Sequence, residues 1–542
     1  MKRHNRNVVL IGFMGSGKSD IGKRLAHMLG MEFADTDAII EQRAGMSISE
    51  IFRTHGEAWF RELEKEVVRE VASKSGLVIS TGGGVPTFEE NIRALRSNGL
   101  LFYLRASPIT IWKRIKDAQD RPLLDVSDRF SRILELLERR EAFYRRADFV
   151  IQTDELSPEE VASQITAWVD SLPDDARSVP VCLDGRTYHI LIGKGLCECM
   201  PNILNAAGLK EPFVLLTDEC VARAQLHRPQ RAFEVRGIPL STVSLPSGEA
   251  TKSFEFAMRL YDALIEFGMT RDGTLIAFGG GVITDLGGFV AATYMRGISL
   301  VNAPTTLLGQ VDAAIGGKVA VDHPRAKNLI GCFYQPKLVI ADVETIHTLP
   351  ERAYREGLAE VIKYGVIADA SLFDTIKRNI DALNERDLPT LSEIVARCCE
   401  IKARIVERDE HERGGERSLL NYGHTFGHAI EAATGYSKLL HGEAVAIGMI
   451  AASRMACILG VCSQDVLDEQ LELLKKAGLP TSLSEAGVTD ISPERIYEAM
   501  ALDKKRRGRM LRFILPTEIG SAFMTSEPIP DEVVMEAIAS VL

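Results

Sequence analysis

Gly12-Phe13-Met14-Gly15-Ser16-Gly17-Lys18-Ser19 decides the fold of the front of this chain. The apolar run Val8 to Ile11 precedes it, and a helical pattern follows from about Asp20. In a strand–loop–helix setting of this kind, glycines let backbone N–H groups turn inward onto phosphate oxygens at a helix N-terminus. Gly15, Ser16, Gly17 and Asp20 then line a nucleotide, Lys18 brings charge to the terminal phosphates, and the Ser19 hydroxyl ligates magnesium. The stretch predicts an α/β domain with a parallel sheet and an ATP site.

Working outward, Leu77 to Ser80 and Leu100 to Leu104 are short apolar runs suited to buried parallel strands. Helical patterns cover Glu57 to Ser73 and Phe130 to Tyr144. A helix over Pro158 to Val169, capped by Ser157, closes the unit at about residue 172. The polar, proline-punctuated stretch from Ser171 to Pro180 predicts a linker, bounded at 173–185. Strand signals resume at Thr187 to Ile192 and continue at Phe213 to Thr217, Leu275 to Phe278, Val301 to Ala303 and Leu338 to Ala341. From about Pro350 the pattern turns helical. The expected organisation is a front domain (1–172), an α/β nucleotide-binding lobe (186–349) and a helical lobe (350–542).

A chain of 542 residues is too long for one core. Its composition, 46% hydrophobic and 26% charged, is that of a globular protein. The formal charge of -11 argues against a nucleic-acid partner. No run of 18 apolar residues marks a membrane span, and Val8 to Ile11 is too short for a signal peptide, so the expected location is the cytoplasm. The nine cysteines lack disulfide or zinc-ribbon spacing and read as reduced thiols.

In the front domain, Asp35-Thr36-Asp37, Arg61 with Glu64, Thr81-Gly82-Gly83-Gly84, Arg121 and Arg140 are the polar candidates. An acid with two arginines suits a polyhydroxylated acceptor bearing a carboxylate. In the rear, Gly279-Gly280-Gly281-Val282-Ile283-Thr284-Asp285 ends a strand and opens a helix, a loop that admits a pyrophosphate or serves as a tight turn. His424 and His428 fall on one helix face, and His441 follows. Spacing alone favours the 424/428 pair as metal ligands, against paired polar histidines or a proton shuttle.

Taken together, the front motifs resemble shikimate kinase over nearly all of residues 6 to 170. That resemblance implies that Asp35 joins Ser19 in the magnesium shell and that Asp37 orients the attacking hydroxyl. Arg61, Gly83 and Arg140 would hold the shikimate carboxylate and ring. Arg121 would reach the phosphates from a lid loop, with Arg114 near the adenine. Residues 185 to 542 resemble 3-dehydroquinate synthase, through Gly279 to Gly297, Pro304 to Leu308, Val311 to Lys318, Lys327 to Gly331, Glu356 to Gly365 and Asn421 to Glu431.

The second resemblance implies Zn2+ (or Co2+) on Glu360, His424 and His441, which displaces His428 from the ligand set suggested by spacing. It implies NAD on Asp218, Glu249, Lys252, Gly281, Asp285, Thr305, Thr306, Lys318, Lys327, Thr345 and Thr348. The phosphorylated sugar acid would meet Asp312, Lys318, Asn328, Lys363, Lys402, Arg417 and Asn421. Arg296 would reach the same cavity from a neighbouring subunit of a homodimer formed through the rear half. Glu412 and His428 would handle protons, and either Lys504 or Lys505 would face the substrate. The implied whole is a bifunctional enzyme of aromatic precursor synthesis. It would phosphorylate shikimate to shikimate 3-phosphate and convert 3-deoxy-D-arabino-heptulosonate 7-phosphate to 3-dehydroquinate plus phosphate. The rival readings are another small-molecule kinase joined to a metal-dependent polyol dehydrogenase, or a nucleotide-sensing scaffold. Asp37, Arg61 and Arg140 in front, with Lys318, Asn328 and Arg417 behind, discriminate against the first. The intact Lys18, Ser19, Glu360, His424 and His441 discriminate against the second.

Overall fold

The computed structural model describes residues 5–116, 128–436, 438–507 and 511–542. Arg121, and the side chains of Lys504 and Lys505, lie outside what it describes. The chain divides into two compact units. One comprises the residues up to His189 together with Cys199–Leu209, and the other Ile190–Glu198 with Lys210–Leu542. No described helix is long and apolar enough to cross a membrane.

The first unit is built on a five-stranded sheet: β1 (Asn7–Ile11), β2 (Glu32–Asp35), β3 (Leu77–Ser80), β4 (Gly99–Arg105) and β5 (Phe149–Gln152), in the order β2-β3-β1-β4-β5. All neighbours are parallel. β1 and β3 are buried along their whole length, as their apolar runs Val8 to Ile11 and Leu77 to Ile79 require. Helices Gly56–Ser73, Arg129–Tyr144 and Pro158–Ser171 match their sequence patterns closely. Ser157 caps the last one in a reciprocal box with Glu160. The carboxyl ends of β1, β2 and β3 deliver the P-loop, Asp35 and the Gly82–Gly84 turn to one edge.

The stretch expected as a linker is strand from Arg177 onward. β6 (Arg177–Leu183) and β7 (Arg186–Gly193) are joined by the turn Asp184-Gly185. Val179, Val181, Cys182 and Leu183 are all buried, and this apolar run outweighs the prolines that punctuate it.

In the second unit the end of β7 enters a sheet with β8 (Lys210–Asp218), β9 (Leu240–Leu245), β10 (Gly273–Gly279), β11 (Ser299–Pro304) and β14 (Leu338–Asp342). The order is β7-β14-β11-β10-β8-β9, with β14, β11, β10, β8 and β9 parallel. The intervening β12 (Lys318–His323) and β13 (Ala326–Phe333) form a separate antiparallel hairpin that the sequence reading did not contain. A helical lobe begins at Glu351, interrupted among the described residues by a small antiparallel pair, β15 (Ile514–Glu518) and β16 (Ser521–Met524).

Two helices of that lobe, His424–Ala433 and His441–Ile458, approach almost backbone to backbone. A Cβ on Gly448 would lie 2.1 Å from the carbonyl oxygen of Gly423, and one on Gly427 3.1 Å from that of Ala444. Only glycine permits this separation.

Candidate active sites

In the front unit Gly15 and Gly17 adopt φ of 79° and 95°, turning the loop before the helix Lys18–Leu29. Lys18 folds over this loop, its Nζ donating to Gly12 O and Phe13 O at 2.9 Å each. Ser16 Oγ is buried and, among the described residues, has no hydrogen-bond partner. A loop of inward amides with an orphaned hydroxyl and a folded-back lysine fits a polyphosphate. Ser19 Oγ donates to Asp35 Oδ2 at 2.7 Å, so a hydroxyl and a carboxylate stand together as magnesium requires. Asp20 is exposed and pairs with Arg24 at 3.4 Å. Arg114 lies against the loop, 3.4 Å from Gly15 O and Ser16 O.

The remaining front candidates surround the glycine turn after β3. A Cβ on Gly82 would meet Asp37 Oδ1 at 2.5 Å, and one on Gly84 would meet Arg61 Nη1 at 2.4 Å. Arg61 pairs with Glu64 at 2.9 Å and Glu57 at 3.0 Å. Burial raises the Glu64 carboxyl above its ordinary value against the pull of Arg61. Arg140 Nη1 reaches Gly83 O at 3.5 Å, and the buried Tyr144 hydroxyl donates to the same oxygen at 2.7 Å. One acid and two guanidinium groups therefore converge beside the P-loop.

In the rear unit Glu360, His424 and His441 offer donor atoms that all lie within 4.8 Å of one another. Glu360 is fully buried, and among the described residues neither carboxylate oxygen has a hydrogen-bond partner; Lys363 neutralises it from the next turn. His424 Nδ1 sits 3.1 Å from Tyr422 O, and its Nε2 3.5 Å from Glu360 Oε1. Burial first, then Lys363 and the two other histidines, hold the His424 imidazole well below its ordinary pKa, in the neutral form a metal needs. His441 moves the other way: burial would lower it, but Glu431 outweighs that and raises it. A buried carboxylate that accepts no hydrogen bond among the described residues and faces two imidazoles fits a divalent cation. His428, favoured by spacing, falls instead in a second set with Glu431 and His441.

Around this group, Lys402 pairs with Asp312 at 2.5 Å, and Tyr364 OH donates to Asp312 Oδ1 at 3.2 Å. Asp312 sits in a π-helical turn, Gly309–Ala313, a local widening of the kind found at functional sites. Burial opposes ionisation of Asp312, but Lys402 and Lys363 hold it below the usual carboxylate range. Lys363 donates to Leu420 O at 2.8 Å. Arg417 grips Gly316 O at 2.9 Å and Glu410 O at 2.6 Å. Asn421 ends the following turn, half-buried. Lys318 pairs with Glu412 at 2.7 Å.

The nucleotide candidates collect at the carboxyl ends of the parallel strands. Lys252 bonds both Asp285 and Asn328. Gly281 follows β10 and is backed by Ala313. Asp218 accepts from two backbone amides and from Ser247 at 2.7 Å. Lys327 and Glu249 stand 3.9 Å apart. Thr305 Oγ1 is buried without a partner among the described residues, whereas Thr306 Oγ1 accepts from Gly309 N at 3.0 Å. The hydroxyls of Thr345 and Thr348 are already bonded inside the fold, to Asp342 O at 2.6 Å and to Gln225 Nε2 at 2.8 Å.

Three candidates, Arg296, Asn328 and Glu412, are non-glycine residues at φ of 65°, 55° and 56°. Backbone in this region costs energy and collects at working sites. Arg296 is exposed, and among the described residues no hydrogen bond or ion pair joins it to the other candidates.

Sequence reasoning missed Asp409 and Glu431. Asp409 accepts from the amides of Arg413, Gly414 and Arg417, and so folds the loop that carries Glu412 and Arg417. Glu431 could have been found from its place seven residues after His424, on the face of the helix that bears both histidines.

Residues 242–356 and 357–506 match the family models described as 3-dehydroquinate synthase N-terminal and C-terminal. A 3-dehydroquinate synthase from Desulforamulus reducens is 44% identical over 343 residues, 63% of this chain and 94% of the relative. The chain belongs to the 3-dehydroquinate synthase family. A second synthase, from a Synechococcus strain, is 45% identical over 367 residues, 67% of this chain and 98% of the relative. Ahead of the synthase, residues 14–170 match the family model for shikimate kinase. The chain is a bifunctional enzyme of the shikimate pathway. Among solved structures, 2-epi-5-epi-valiolone synthase from Streptomyces hygroscopicus subsp. jinggangensis, with NAD+ and Zn2+ bound, is 26% identical. Its TM-score is 0.61 over 66% of this chain and 98% of that one. A 2-deoxy-scyllo-inosose synthase complexed with carbaglucose-6-phosphate, NAD+ and Co2+ is 25% identical, with a TM-score of 0.62 over 67% of this chain and 100% of that one.

Proposed function

We propose that the front unit phosphorylates shikimate with ATP, giving shikimate 3-phosphate. We propose that the synthase unit converts 3-deoxy-D-arabino-heptulosonate 7-phosphate to 3-dehydroquinate and phosphate, using NAD and a divalent cation, Zn2+ or Co2+. The observation that carries the reading is the convergence of Glu360, His424 and His441 beside a dense set of cations, Lys363, Lys402 and Arg417. A plain alcohol dehydrogenase has no use for that cage, and a substrate bearing a phosphate and a carboxylate does.

In the kinase, Lys18 would leave the loop carbonyls it now bonds and neutralise the terminal phosphates, while Ser19 and Asp35 would hold magnesium. Asp37 would accept from the ring hydroxyls and orient the attacking one. Arg61 and Arg140 would clamp the carboxylate, with the Gly83 backbone against the ring. Phosphoryl transfer asks chiefly for this positioning and neutralisation.

In the synthase, Glu360, His424 and His441 would hold the cation. When bound, the cation and the nicotinamide supply a Lewis acid and a returnable hydride sink, which make a neighbouring C–H acidic enough for phosphate to leave. Lys363, Lys402, Asn328, Arg417 and Asn421 would bind the sugar acid, with Asp312 holding Lys402 in place. Lys318, on the exposed hairpin, would meet the phosphate. Glu412 and His428 would move protons. Asp218, Glu249, Lys252, Gly281, Asp285, Thr305, Thr306 and Lys327 would contact the dinucleotide. Thr345 and Thr348 would act through the strand end they brace.

We infer a homodimer through the synthase unit. Phe254, Met258 and Ile265 form an exposed apolar stripe on one helix face, and Met295 is exposed beside Arg296. Tyr261 on that helix stacks on Tyr294, which brings the stripe next to the Arg296 turn. A second copy covering it would carry Arg296 toward a neighbouring active site. Both reactions would run in the cytoplasm.

The direct test is to purify the full chain and measure ADP formation with shikimate and phosphate release from the heptulosonate phosphate. Activity on both supports the reading. Phosphate release from another sugar phosphate in place of the heptulosonate would overturn the substrate assignment.

A further inference from the structure

We propose that Glu431 is a positioning residue that fixes His441 as an Nε2 metal donor, an inference that rests on reading Glu360, His424 and His441 as the cation site. An imidazole has two nitrogens, and the hydrogen bond made by one decides which lone pair remains for a metal. The two histidines of this site are held differently. His424 Nδ1 meets a neutral acceptor, the backbone carbonyl of Tyr422, at 3.1 Å. His441 Nδ1 meets a charged one, Glu431 Oε2, at 3.4 Å.

Glu431 is built into this place. It shares a helix face with His424 and His428, and its side chain is only 11% exposed. The close approach of the two helices at Gly427 and Gly448 sets the distance across which it reaches His441. A carboxylate accepting from Nδ1–H pins the tautomer, aims the ring and makes Nε2 a stronger donor than a backbone carbonyl would. The cation site is thus electronically lopsided, with one imidazole backed by charge and one by a dipole.

The competing role for Glu431 is as a ligand itself, since His428, Glu431 and His441 also bring donor atoms within 4.8 Å. It carries less weight. His441 would have to release Nδ1–H to serve that set while its Nε2 serves the other.

The test uses the full chain stripped of metal and titrated with Co2+ against a competing chelator, in the parent and in Glu431→Gln and Glu431→Asp. Gln keeps the size and an acceptor oxygen but loses the charge; Asp keeps the charge but withdraws it by one methylene. Glu431→Gln is expected to weaken Co2+ binding about 10- to 100-fold. Glu431→Asp should fall between it and the parent and recover more of the parent's Co2+ absorption spectrum. Kinase activity and melting of the metal-free chain, measured on the same samples, report folding, and the Asp variant decides if the Gln variant unfolds. Unchanged Co2+ affinity in the folded variants would overturn the proposal. So would two Co2+ per parent chain, with one lost in Glu431→Gln. If instead Glu360→Gln leaves Co2+ binding untouched, the cation-site reading fails and not merely the part assigned to Glu431.

Discussion

His424 Nε2 stands 3.5 Å from Glu360 Oε1, across a gap that no protein donor fills among the described residues. The carboxylate is fully buried and its charge is met by Lys363 alone on its own helix. Glu360→Gln should therefore act twice. It should abolish metal-dependent turnover while leaving kinase activity intact. It should also strand the Lys363 ammonium in the core, at a cost of about 3–5 kcal/mol in stability. Adding Lys363→Met should restore most of the melting temperature and none of the turnover. Calorimetry with parallel assays separates the two effects, and recovered turnover in the double variant would contradict the site.

Lys18 rests on the carbonyls of Gly12 and Phe13 at 2.9 Å. It braces the loop and is expected to transfer to the nucleotide phosphates. Lys18→Met should cut kinase kcat/KM by about 100- to 1,000-fold, the scale of losing one charged stabilising contact. Synthase activity on the same sample should not change. Kinase rates within threefold of the parent would show that Lys18 is only a loop brace.

Gly448 is the tightest point between the helices that carry His424 and His441. A Cβ there would lie 2.1 Å from a backbone oxygen, which cannot rotate away. Gly448→Ala should destabilise the synthase unit by about 3 kcal/mol or more, and lower its metal affinity as the helices part. Thermal melting and Co2+ titration check both. The kinase transition should stay where it is.

Much of this was legible in the sequence, for local reasons. The P-loop, its strand and its helix lie within about 30 residues, and each glycine does its work inside the motif. The helix starting at Pro158 announced itself by Ser157, which does cap it, in a reciprocal box that Glu160 completes. The cation site was not readable from spacing. His424 and His428 share a helix face, yet their rings stand 88° apart, and the set that includes Glu360 draws on three helices. Tertiary packing at Gly423, Gly427 and Gly448 brings two of those helices together, Gly442 seats the second of them against the backbone of Glu356 on the third, and no window of sequence contains this. The hairpin of β12 and β13 stayed hidden because its outer strand is exposed and has no clean apolar alternation. β2 stayed hidden because Glu32-Phe33-Ala34-Asp35 carries two acids in four residues.

His189 gives the first unit a pH signature. It packs against Phe149 and Trp168, and burial lowers its pKa to about 4 from an ordinary 6.5. Between those values the unfolded chain takes up a proton that the folded chain does not. Stability is then complete above pH 6.5 and falls as the pH drops toward 4, by up to about 3 kcal/mol. The kinase transition should melt markedly earlier at pH 5 than at pH 7.5, and His189→Phe should flatten that slope. An equal slope in the variant would assign the acid sensitivity to other groups.

The most direct measurement follows both activities in a single sample through metal removal. The chain is treated with a strong chelator, desalted, and assayed with Mg2+ alone and then with Zn2+ or Co2+ added. The account predicts that synthase activity disappears, ignores Mg2+, and returns with one equivalent of Zn2+ or Co2+, while kinase activity depends on Mg2+ throughout. A synthase that keeps its full rate after rigorous metal removal would contradict the site formed by Glu360, His424 and His441.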